Sequence, residues 1–473
     1  MKRCIMVAMD GLRPDMVNAA NTPNLAALAA AGTRFVNSRS VFPSETRVAT
    51  PSLVTGCRPG GHGMVANTLF DASVAPDRLL RTKLVSDVLA MAAGGETPLQ
   101  RPSLAERLDR SGHRFALVSA GTGGAARLLH PAAERLGSFR WNVEDTEGPT
   151  AEAVRDALGP TPPHATPNTA RVEFAGRVLL EHVLPRHAPD VALIWLSEPD
   201  VAFHWAGLGA PETLQALRAA DAVLGGIIAW RDAQPNAANI GIIVLSDHGH
   251  VTGRGKLSLA EELRRGGFRA GTGMRDDVDV VVAPASAPGL WLRDAALAPQ
   301  IADFLATQPW AGPLLARDTA ILPRAFPLAA LGSAHARSAD LVVTFAGDEG
   351  PDRWGLPGNA PFDAPDVPDG GGMHGGLHRA ELATVLVMQG AGFRAGALAK
   401  EAADLTDIVP TLLHGMGLDT TGMEGRPLRA AFDATADAAP DRLLLELDRG
   451  FVLEAMRAPG HERLYPTALR RAR

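Results

Sequence analysis

Residues 240–250 read IGIIVLSDHGH, so that six largely apolar residues are followed at once by polar ones. The apolar part has the length of a buried strand rather than that of a helix. Two other runs end in the same way: Arg3–Met9 is followed directly by Asp10, and Val191–Leu196 precedes Asp200 by four residues. In open α/β sheets, ligands bind beyond the carboxyl ends of the strands. We therefore predict a functional site where these runs end.

Short apolar runs alternate with segments of helical periodicity along much of the chain. One such helix is predicted to begin at Thr22-Pro23 and to stop at Gly32. Strands that alternate with helices favour an α/β layered fold with a largely parallel sheet. The predicted strands are Arg3–Met9, Phe115–Ser119, Val191–Leu196, Ile240–Leu245, Val278–Val282, Leu341–Phe345 and Thr384–Met388.

The bulk composition limits the classes of function. The net charge of −6 and the pI of about 6.2 indicate no nucleic-acid or anionic-membrane surface. An acidic protein that acts on an anionic substrate needs local positive charge, which a bound metal can supply. Cys4 and Cys57 are too few for a disulfide scaffold, and Cys4 is expected to be a buried thiol. No signal peptide or membrane-spanning run is recognised, so a soluble, cytoplasmic protein is expected.

The domain organisation is predicted from a change in composition. Residues 251–372 are rich in Gly, Pro and Arg and have weaker periodicity, and they end in a loop-like segment, Pro357–Gly372. They are predicted to be an inserted cap or substrate subdomain. Residues 1–250 and 373–435 would form the catalytic core, and residues 436–473 a C-terminal extension.

Three carboxylates and three imidazoles lie near the ends of four predicted strands. This mixture of donors suits two divalent cations, and it favours zinc, because magnesium and calcium prefer shells made only of oxygen. The donor types admit manganese or iron as well. The six residues are Asp10, Asp200, His204, Asp247, His248 and His374.

Each of these signals is weak alone, since Asp-His after a strand also occurs in caps and turns. His62 and His250 flank the motifs, and an outer-shell or structural role is favoured for both over metal ligation. His374 is preferred to His378 as a ligand. His414 follows an apolar helical segment and is interpreted as a surface or packing residue.

Several motifs together resemble the alkaline phosphatase superfamily, and within it the nucleotide pyrophosphatase/phosphodiesterase and phosphonoacetate hydrolase branch. Their order and spacing run over most of the chain. The motifs are Met9-Asp10-Gly11, Phe42-Pro43-Ser44-Glu45-Thr46 through Leu53-Val54-Thr55-Gly56, His62-Gly63-Met64-Val65-Ala66-Asn67, Glu198-Pro199-Asp200 to His204, Ser246-Asp247-His248-Gly249, His374-Gly375-Gly376 and Asp407-Ile408-Val409-Pro410-Thr411-Leu412-Leu413.

The resemblance implies an alkaline phosphatase-like three-layer α/β/α sandwich with a mostly parallel central sheet and an inserted cap. It implies a nucleophile at Thr46, nine residues before Thr55-Gly56, and a phosphoryl-oxygen contact at Asn67. The expected path is attack by Thr46, a covalent phosphothreonine, and hydrolysis by water on the second metal. The implied metal ligands are Asp200, His204 and His374 for one ion, and Asp10, Asp247, His248 and the Thr46 oxygen for the other.

Neighbouring activities of the superfamily fit less well. Sulfatases need a modified cysteine or serine at the head of a Cys-x-Pro-Ser-Arg signature, whereas Cys57-Arg58-Pro59 continues with Gly60-Gly61. Phosphoglycerate mutases use a serine nucleophile, which the threonine at position 46 argues against. The hydroxyls near Thr46 that have to be weighed against it are those of Ser44, Thr50, Ser52 and Thr55.

Arg47 departs from the family pattern, because nucleotide phosphodiesterases usually carry an aromatic residue after the nucleophile. A guanidinium here favours a substrate with a second negative charge or a bidentate contact to phosphoryl oxygens, so Arg47 is a candidate substrate-binding residue. The alternative is that Arg47 forms a salt bridge within the protein.

Three functional hypotheses follow. The first is a metal-dependent phosphodiesterase or nucleotide pyrophosphatase acting on a small anionic phosphoryl substrate. The second is a phosphonate hydrolase of the phosphonoacetate type, or a phosphomonoesterase; a carboxylate-binding cap needs Lys or Arg facing the metals, whereas a nucleoside pocket needs apolar and aromatic walls. The third is a non-catalytic metal-binding protein. A homodimer is one arrangement that the sequence leaves open.

Overall fold

The computed structural model describes residues 1–92 and 97–472. Its central feature is an eight-stranded sheet. In spatial order the strands are Ala397–Ala399, Thr33–Phe35, Leu386–Gly390, Ile240–Leu245, Arg3–Met9, Val191–Leu196, Phe115–Ser119 and Phe139–Asn142.

The five strands from Ile240–Leu245 to Phe139–Asn142 are parallel to one another. Arg3–Met9 lies in the middle of the sheet, with Met9 opposite Leu196 and Ala8 opposite Leu245. A parallel strand that is covered on both faces reads as an apolar run, which explains why these segments were recognisable in the sequence.

Side chains that alternate along the central strand enter two different hydrophobic clusters. Ile5, Val7 and Met9 pack against helices on one face, among them Pro211–Asp232. Cys4, Met6 and Ala8 pack against helices on the other face, among them Leu405–Met416. Because successive strand residues point to opposite faces, one sheet is sandwiched between two helical layers. The predicted α/β/α fold with a mostly parallel sheet is confirmed, and Cys4 is buried as expected.

The helices surround the sheet and carry several of the site residues at their first turns. The α-helices are Pro23–Ala31, Thr46–Thr55, Pro59–His62, Val85–Met91, Leu104–Arg110, Gly123–Leu129, Ala133–Leu136, Pro149–Leu158, Thr169–Arg177, Leu184–Arg186, Asp200–Ala206, Pro211–Asp232, Leu259–Arg265, Ala298–Ala306, Arg379–Leu382 and Leu405–Met416, with a π-helical segment at Val178–Val183. Among the described residues, no helix is both long and apolar enough to cross a membrane.

The helix predicted from Thr22-Pro23 to Gly32 is found at Pro23–Ala31. Thr22 is its N-cap residue and Pro23 its first residue, as expected, and the Thr22 hydroxyl bonds to Asn18 rather than to the helix.

Two of the predicted strands are displaced. The segment predicted as Thr384–Met388 forms a strand at Leu386–Gly390, antiparallel to Ile240–Leu245. The first two residues of the predicted segment do not pair with the neighbouring strand, because the main-chain N–H of Thr384 donates to Ser38 O and that of Val385 to Ser246 Oγ. The segment predicted as Val278–Val282 begins as a strand only at Val280, because the amide of Val278 closes a turn on Arg275 O.

Residues 251–372 contain a separate six-stranded sheet with its own hydrophobic cluster and the helices Leu259–Arg265 and Ala298–Ala306. In spatial order its strands are Ala270–Gly271, Val280–Ala283, Gly289–Leu292, Leu341–Phe345, Ala311–Ala316 and Phe326–Pro327. The proposed division into a core and an inserted cap stays a prediction.

A four-stranded sheet joins the two ends of that segment. Its strands are Asp348–Pro351, Pro357–Phe362, Val251–Lys256 and Gly372–Met373. The prediction of a loop over Pro357–Gly372 is therefore wrong for its first six residues, which form a strand although they include two prolines and a glycine. Two-stranded pairs complete the small sheets, namely Ser38–Arg39 with Ala403–Asp404 and Thr68–Leu69 with Leu80–Arg81.

The C-terminal segment is an antiparallel meander of Asp441–Leu447, Phe451–Arg457 and Leu464–Arg471. It is tied to the helix Leu405–Met416 by Arg463, whose Nη2 donates to both carboxylate oxygens of Asp407 at 2.6 Å.

Candidate active site

Two groups of possible metal ligands lie beyond the carboxyl ends of the parallel strands. One group contains Asp10, Asp247 and His248, and the other contains Asp200, His204, His250 and His374. Within each group the ligand atoms lie within 4.8 Å of one another. The structure therefore brings together all six acidic and histidine residues singled out in the sequence, and it adds His250.

The first group is assembled from two adjacent strands of the central sheet. His248 Nε2 lies 3.5 Å from Asp10 Oδ1 and 3.3 Å from Asp247 Oδ2. The Thr46 hydroxyl lies 3.2 Å from the same nitrogen. Trp195 Nε1–H donates to Asp10 Oδ2 at 2.9 Å, and Gly11 N–H donates to Asp247 Oδ1 at 3.0 Å. One oxygen of each carboxylate is thus held, and the other faces His248.

Thr46 is the first residue of the helix Thr46–Thr55. A helix N-terminus carries unpaired N–H groups and a partial positive charge, both of which favour a bound anion. The Thr46 side chain is buried beside the first ligand group. The other hydroxyls point elsewhere or lie deeper: Ser44, Ser52 and Thr55 donate to the carbonyls of Gly376, Val48 and Pro51, and Thr50 Oγ1 is buried without a partner among the described residues.

The second group is centred on Asp200, which begins the helix Asp200–Ala206 and faces His204 one turn later. Asp200 Oδ1 lies 3.3 Å from His204 Nε2, 3.1 Å from His250 Nε2 and 3.6 Å from His374 Nε2. The rings of His248 and His374 stack with their centroids 3.6 Å apart, so the two groups are adjacent.

Each of these four histidines places its Nδ1 against a main-chain carbonyl. The distances are 2.6 Å from His204 to Gly372 O, 3.1 Å from His248 to Gly249 O, 3.1 Å from His250 to Gly11 O and 2.8 Å from His374 to Ser44 O. A carbonyl only accepts hydrogen bonds, so Nδ1 carries the hydrogen in each ring and the neutral ring presents a lone pair on Nε2. Protein histidines that bind metals are oriented in this way.

The carboxylates are crowded in the same buried volume. Asp10 Oδ1, Asp200 Oδ1 and Asp247 Oδ2 are buried without a hydrogen-bond partner among the described residues. Burial, and then the neighbouring carboxylates of Asp247 and Asp200, raises the pKa of Asp10 well above its ordinary value. Burial first, with Asp200 adding to it, raises the pKa of Asp247 to about 7.

These observations test whether the site suits cations. Unpaired buried carboxylate oxygens are costly, and so are lone pairs that face them, unless a positive charge lies between. Histidine nitrogen and carboxylate oxygen are the donors that zinc and other first-row metals accept. The residues present therefore fit two divalent cations, with one in each group.

Asn67 and Arg47 lie at the opening above Thr46. Arg47 N–H donates to Asn67 Oδ1 at 2.9 Å, which turns the Asn67 NH₂ group away from Arg47. The main-chain N–H of Asn67 donates in turn to the carboxylate of Glu45, whose pKa is raised to about 7 by burial. The Arg47 Nε is buried and has no hydrogen-bond partner in the described part of the chain. The assignment of Arg47 to substrate binding stays a prediction.

A cavity of about 940 Å³ opens onto Thr46, Asp200 and His374. Its size suits a small-molecule substrate. Four cationic side chains line it, namely Arg47, Arg78, Arg81 and Lys83. Arg78 is paired with Asp87 at 2.8 Å. The half-exposed indole of Trp205 lines the cavity as well.

The remaining histidines considered in the sequence lie outside both groups. His62 is buried and bonds to Ser52 and to the amide of Met64. His378 caps the helix Arg379–Leu382 and contacts Asp348 O. His414 is exposed and packs its ring against Phe432.

Sequence reasoning missed three residues of the site. His250 was assigned an outer-shell or structural role, although its position two residues after His248 was a usable signal. Trp195 and Glu45 had no signal of their own, since an indole in a buried strand is typical of a packing residue and a carboxylate directly before Thr46 is typical of a turn residue. Their contacts with Asp10 and Asn67 join residues 185 and 22 positions apart.

Comparison with known proteins agrees with this architecture. The model of the type I phosphodiesterase / nucleotide pyrophosphatase family matches residues 4–305. Venom phosphodiesterases from Naja atra and Macrovipera lebetinus are each 27% identical to the chain over 251 residues. That alignment covers 52% of this chain but only 26% and 25% of theirs, so the chain spans about a quarter of the length of these relatives.

Solved structures show the same fold. Murine ectonucleotide pyrophosphatase/phosphodiesterase 5, in an inactive threonine-to-alanine form in complex with AMP, superposes with a TM-score of 0.66 at 18% identity, covering 92% of this chain and 100% of that one. The human protein gives a TM-score of 0.62 at 16% identity, covering 89% and 97%. The expected alkaline phosphatase-like fold is thereby confirmed, and the chain belongs to the type I phosphodiesterase / nucleotide pyrophosphatase family.

Proposed function

We propose that this protein is a metal-dependent phosphodiesterase of the nucleotide pyrophosphatase type, with Thr46 as its nucleophile. The observation that carries the proposal is the position of the Thr46 hydroxyl, 3.2 Å from His248 Nε2, at a helix N-terminus and at the base of the cavity. Family membership and the inactive threonine-to-alanine form of the murine structure support the same assignment.

The reaction has two steps. The Thr46 Oγ attacks phosphorus, the bond from phosphorus to the leaving oxygen breaks, and the leaving alcohol or phosphate takes up a proton. Water then gives up a proton and attacks the phosphothreonine, the bond between phosphorus and Thr46 Oγ breaks, and Thr46 Oγ takes up a proton, which restores the hydroxyl. Asn67 Nδ2–H, in a side chain oriented by the Arg47 N–H on its Oδ1, would donate to a non-bridging oxygen, where negative charge grows.

Two divalent cations would be held by the two ligand groups, and zinc is the metal that their donors favour. When bound they would make the Thr46 alkoxide accessible and neutralise charge on the phosphoryl oxygens. The chain itself holds the ligand atoms in place. Four main-chain carbonyls orient the imidazoles, and the Trp195 indole N–H donates to Asp10.

The part of the cavity lining that residues 251–372 contribute favours a bulky, uncharged part of the leaving group. The lining that segment 251–372 contributes to the cavity includes no lysine or arginine. Apart from Thr272, Ser286 and Asp366, its side chains are small or apolar. A carboxylate-binding cap of the phosphonoacetate type would need a cation there. Trp205, which also lines the cavity, offers a ring for stacking. A nucleoside or similar ring therefore fits this wall better than a second carboxylate.

Arg47 favours a second candidate, a phosphomonoesterase or phosphonate hydrolase. Its guanidinium lines the cavity beside Thr46, and a guanidinium there would bind an additional anionic oxygen. A substrate with a terminal phosphate dianion would use this charge, whereas a diester would not need it.

The test is a single-turnover assay of wild type and Thr46→Ala after chelation and reloading with zinc or manganese. The substrates are p-nitrophenyl thymidine monophosphate, bis-p-nitrophenyl phosphate, p-nitrophenyl phosphate and phosphonoacetate. Thr55→Ala is the matched control, since its hydroxyl is bonded to Pro51 O within the same helix.

We expect metal-dependent turnover that is fastest with the thymidine ester, absent in Thr46→Ala and retained in Thr55→Ala. Turnover in Thr46→Ala at the wild-type rate would remove Thr46 from the reaction. Faster turnover of the monoester or of phosphonoacetate would select the second candidate. Two bound metals with no turnover of any substrate would favour the non-catalytic metal-binding protein considered from the sequence. The homodimer and the cytoplasmic location stay predictions.

A further inference from the structure

His250 lies among the ligand atoms of the second group. Its Nε2 is 3.1 Å from Asp200 Oδ1, which is shorter than the corresponding distances of 3.3 Å for His204 and 3.6 Å for His374. Its ring is wholly buried, and it lies 5.3 Å from the His204 ring and 5.0 Å from the His374 ring.

The hydrogen-bond partner on the other side of the ring decides which nitrogen presents a lone pair. His250 Nδ1 lies 3.1 Å from Gly11 O, which only accepts, so Nδ1 carries the hydrogen of the neutral ring. Nε2 then directs its lone pair at a carboxylate oxygen. Neither His250 Nε2 nor Asp200 Oδ1 has a hydrogen-bond donor among the residues that the structure describes. Two acceptors facing each other in a buried site are accounted for by a cation that both of them bind.

Packing holds the ring in this position. A Cβ at Gly11, whose φ is +72°, would lie 2.3 Å from His250 Cε1, and a Cβ at Gly372 would lie 3.0 Å from His250 Cδ2. The Phe203 ring packs edge-on at 4.8 Å between centroids. The two glycines therefore admit the ring, and the imidazole has little room to turn away from Asp200.

The separations agree with those of a shared ion. Ligand atoms at about 2.0–2.1 Å from a tetrahedral zinc lie roughly 3.3 Å from one another. The three separations from Asp200 Oδ1, between 3.1 and 3.6 Å, surround this value.

We propose that His250 is a fourth protein ligand of the metal held by Asp200, His204 and His374. Structural zinc sites carry four protein ligands, whereas catalytic ones keep a position open. The second group would therefore hold its metal as a closed site, and a substrate oxygen would bind there only by raising the coordination number to five. The group of Asp10, Asp247 and His248 would keep its fourth position for Thr46. The proposal rests on the function proposed above only in requiring that a cation occupies the group.

The experiment measures metal binding rather than turnover. Chelated wild type, His250→Leu and His62→Leu are titrated with zinc and with cobalt, and a crystal of the zinc-loaded wild type is measured at the zinc absorption edge. Leucine fills a similar volume and cannot ligate, and His62→Leu controls for the loss of a buried histidine outside both groups.

We expect a bond of about 2.0–2.1 Å between His250 Nε2 and zinc in the crystal. We also expect His250→Leu to lose more than 100-fold in affinity at one of its two sites, because loss of an outer-shell partner costs only roughly 10–100-fold. The visible spectrum of cobalt at that site should change, while His62→Leu keeps both sites.

A zinc-to-Nε2 distance above 3 Å, or a loss within the outer-shell range, would overturn the proposal. If His250→Leu does not fold, the wild-type crystal still decides. An inactive protein that binds zinc through His250 would refute the proposed function and leave this inference standing. An active protein in which His250 does not bind zinc would overturn this inference and leave the proposed function standing.

Discussion

In the metal-free protein, replacing Asp247 with asparagine is expected to stabilise the fold at alkaline pH, although the same change removes a proposed metal ligand. Asp247 is only 1% exposed, and its pKa is raised from 3.8 to about 7 by burial and by the neighbouring Asp200. Asparagine keeps an oxygen for the Gly11 N–H, which now donates to Asp247 Oδ1 at 3.0 Å. The substitution therefore removes the charge and preserves the hydrogen bond.

The magnitude follows from the shift in pKa. The native carboxyl binds its proton more tightly than the unfolded one, so its contribution to stability is complete below pH 3.8 and is lost as the pH rises through about 7. At 1.36 kcal/mol for each pH unit, the loss amounts to about 4 kcal/mol, of which about 3 kcal/mol falls between pH 5 and pH 8. Asparagine has no such loss. The pKa of Asp10 should fall in the variant as well, because Asp247 is the first neighbouring charge that raises it.

The assay is urea unfolding of chelator-dialysed protein at pH 5 and pH 8, with Asp366→Asn as the control for an exposed aspartate. The advantage of Asp247→Asn over wild type should grow by about 3 kcal/mol between the two pH values. Added zinc at a thousandfold excess over its Kd should return about 4 kcal/mol to wild type and much less to the variant. A difference between the two proteins that is the same at pH 5 and pH 8 would refute the crowding of carboxylates in this site.

Three further changes test other parts of the structure. Arg463→Met should cost about 3–5 kcal/mol in urea unfolding, because it removes the guanidinium that pairs with the fully buried carboxylate of Asp407; a cost below about 1 kcal/mol would contradict this. The pKa of Asp363 is raised to about 6 by burial, so wild type should lose about 3 kcal/mol as the pH rises from 3.8 through 6. Asp363→Asn keeps an acceptor for the Leu259 N–H and should flatten this dependence of stability on pH. An unchanged dependence would contradict the raised pKa of Asp363. Asn67→Ala should lower kcat by roughly 10²–10³-fold in steady-state assays with a smaller change in KM; an unaltered kcat would exclude Asn67 from the transition state.

The fold could be predicted from the sequence where local pattern and burial agree. Arg3–Met9, Phe115–Ser119, Val191–Leu196 and Ile240–Leu245 were predicted with the bounds that the structure has. A strand covered by helices on both faces must be apolar throughout, so its length and its ends are visible in one dimension. The observed bounds differ from the predicted ones where hydrogen bonds outside the sheet replace strand pairing. At Leu386–Gly390, the two preceding residues bond to Ser38 and Ser246 instead of to a neighbouring strand of the sheet.

Six of the seven residues in the two ligand groups could also be named from the sequence. Five of them follow a predicted strand or lie one helical turn from a residue that does, and His374 was named from its motif shortly before a predicted strand. Chain order cannot report distances between elements, however. The interpretation of His250 depended on whether its ring faces Asp200, and that is set by the carbonyl of Gly11, 239 positions away. The role of Trp195 likewise depends on a contact that chain order does not show, its hydrogen bond to Asp10, 185 positions away.

The sequence by itself determined the layered α/β architecture, the strand ends that carry the carboxylates, and the family, because these depend on periodicity, composition and short motifs. Only the tertiary structure decided which nitrogen of each imidazole faces inward, which carboxylate oxygens lack a partner, and which wall of the cavity is charged. The physical reason is that burial, hydrogen bonding and charge crowding are properties of neighbours in space. At this site those neighbours come from positions as far apart as Ser44 and His374.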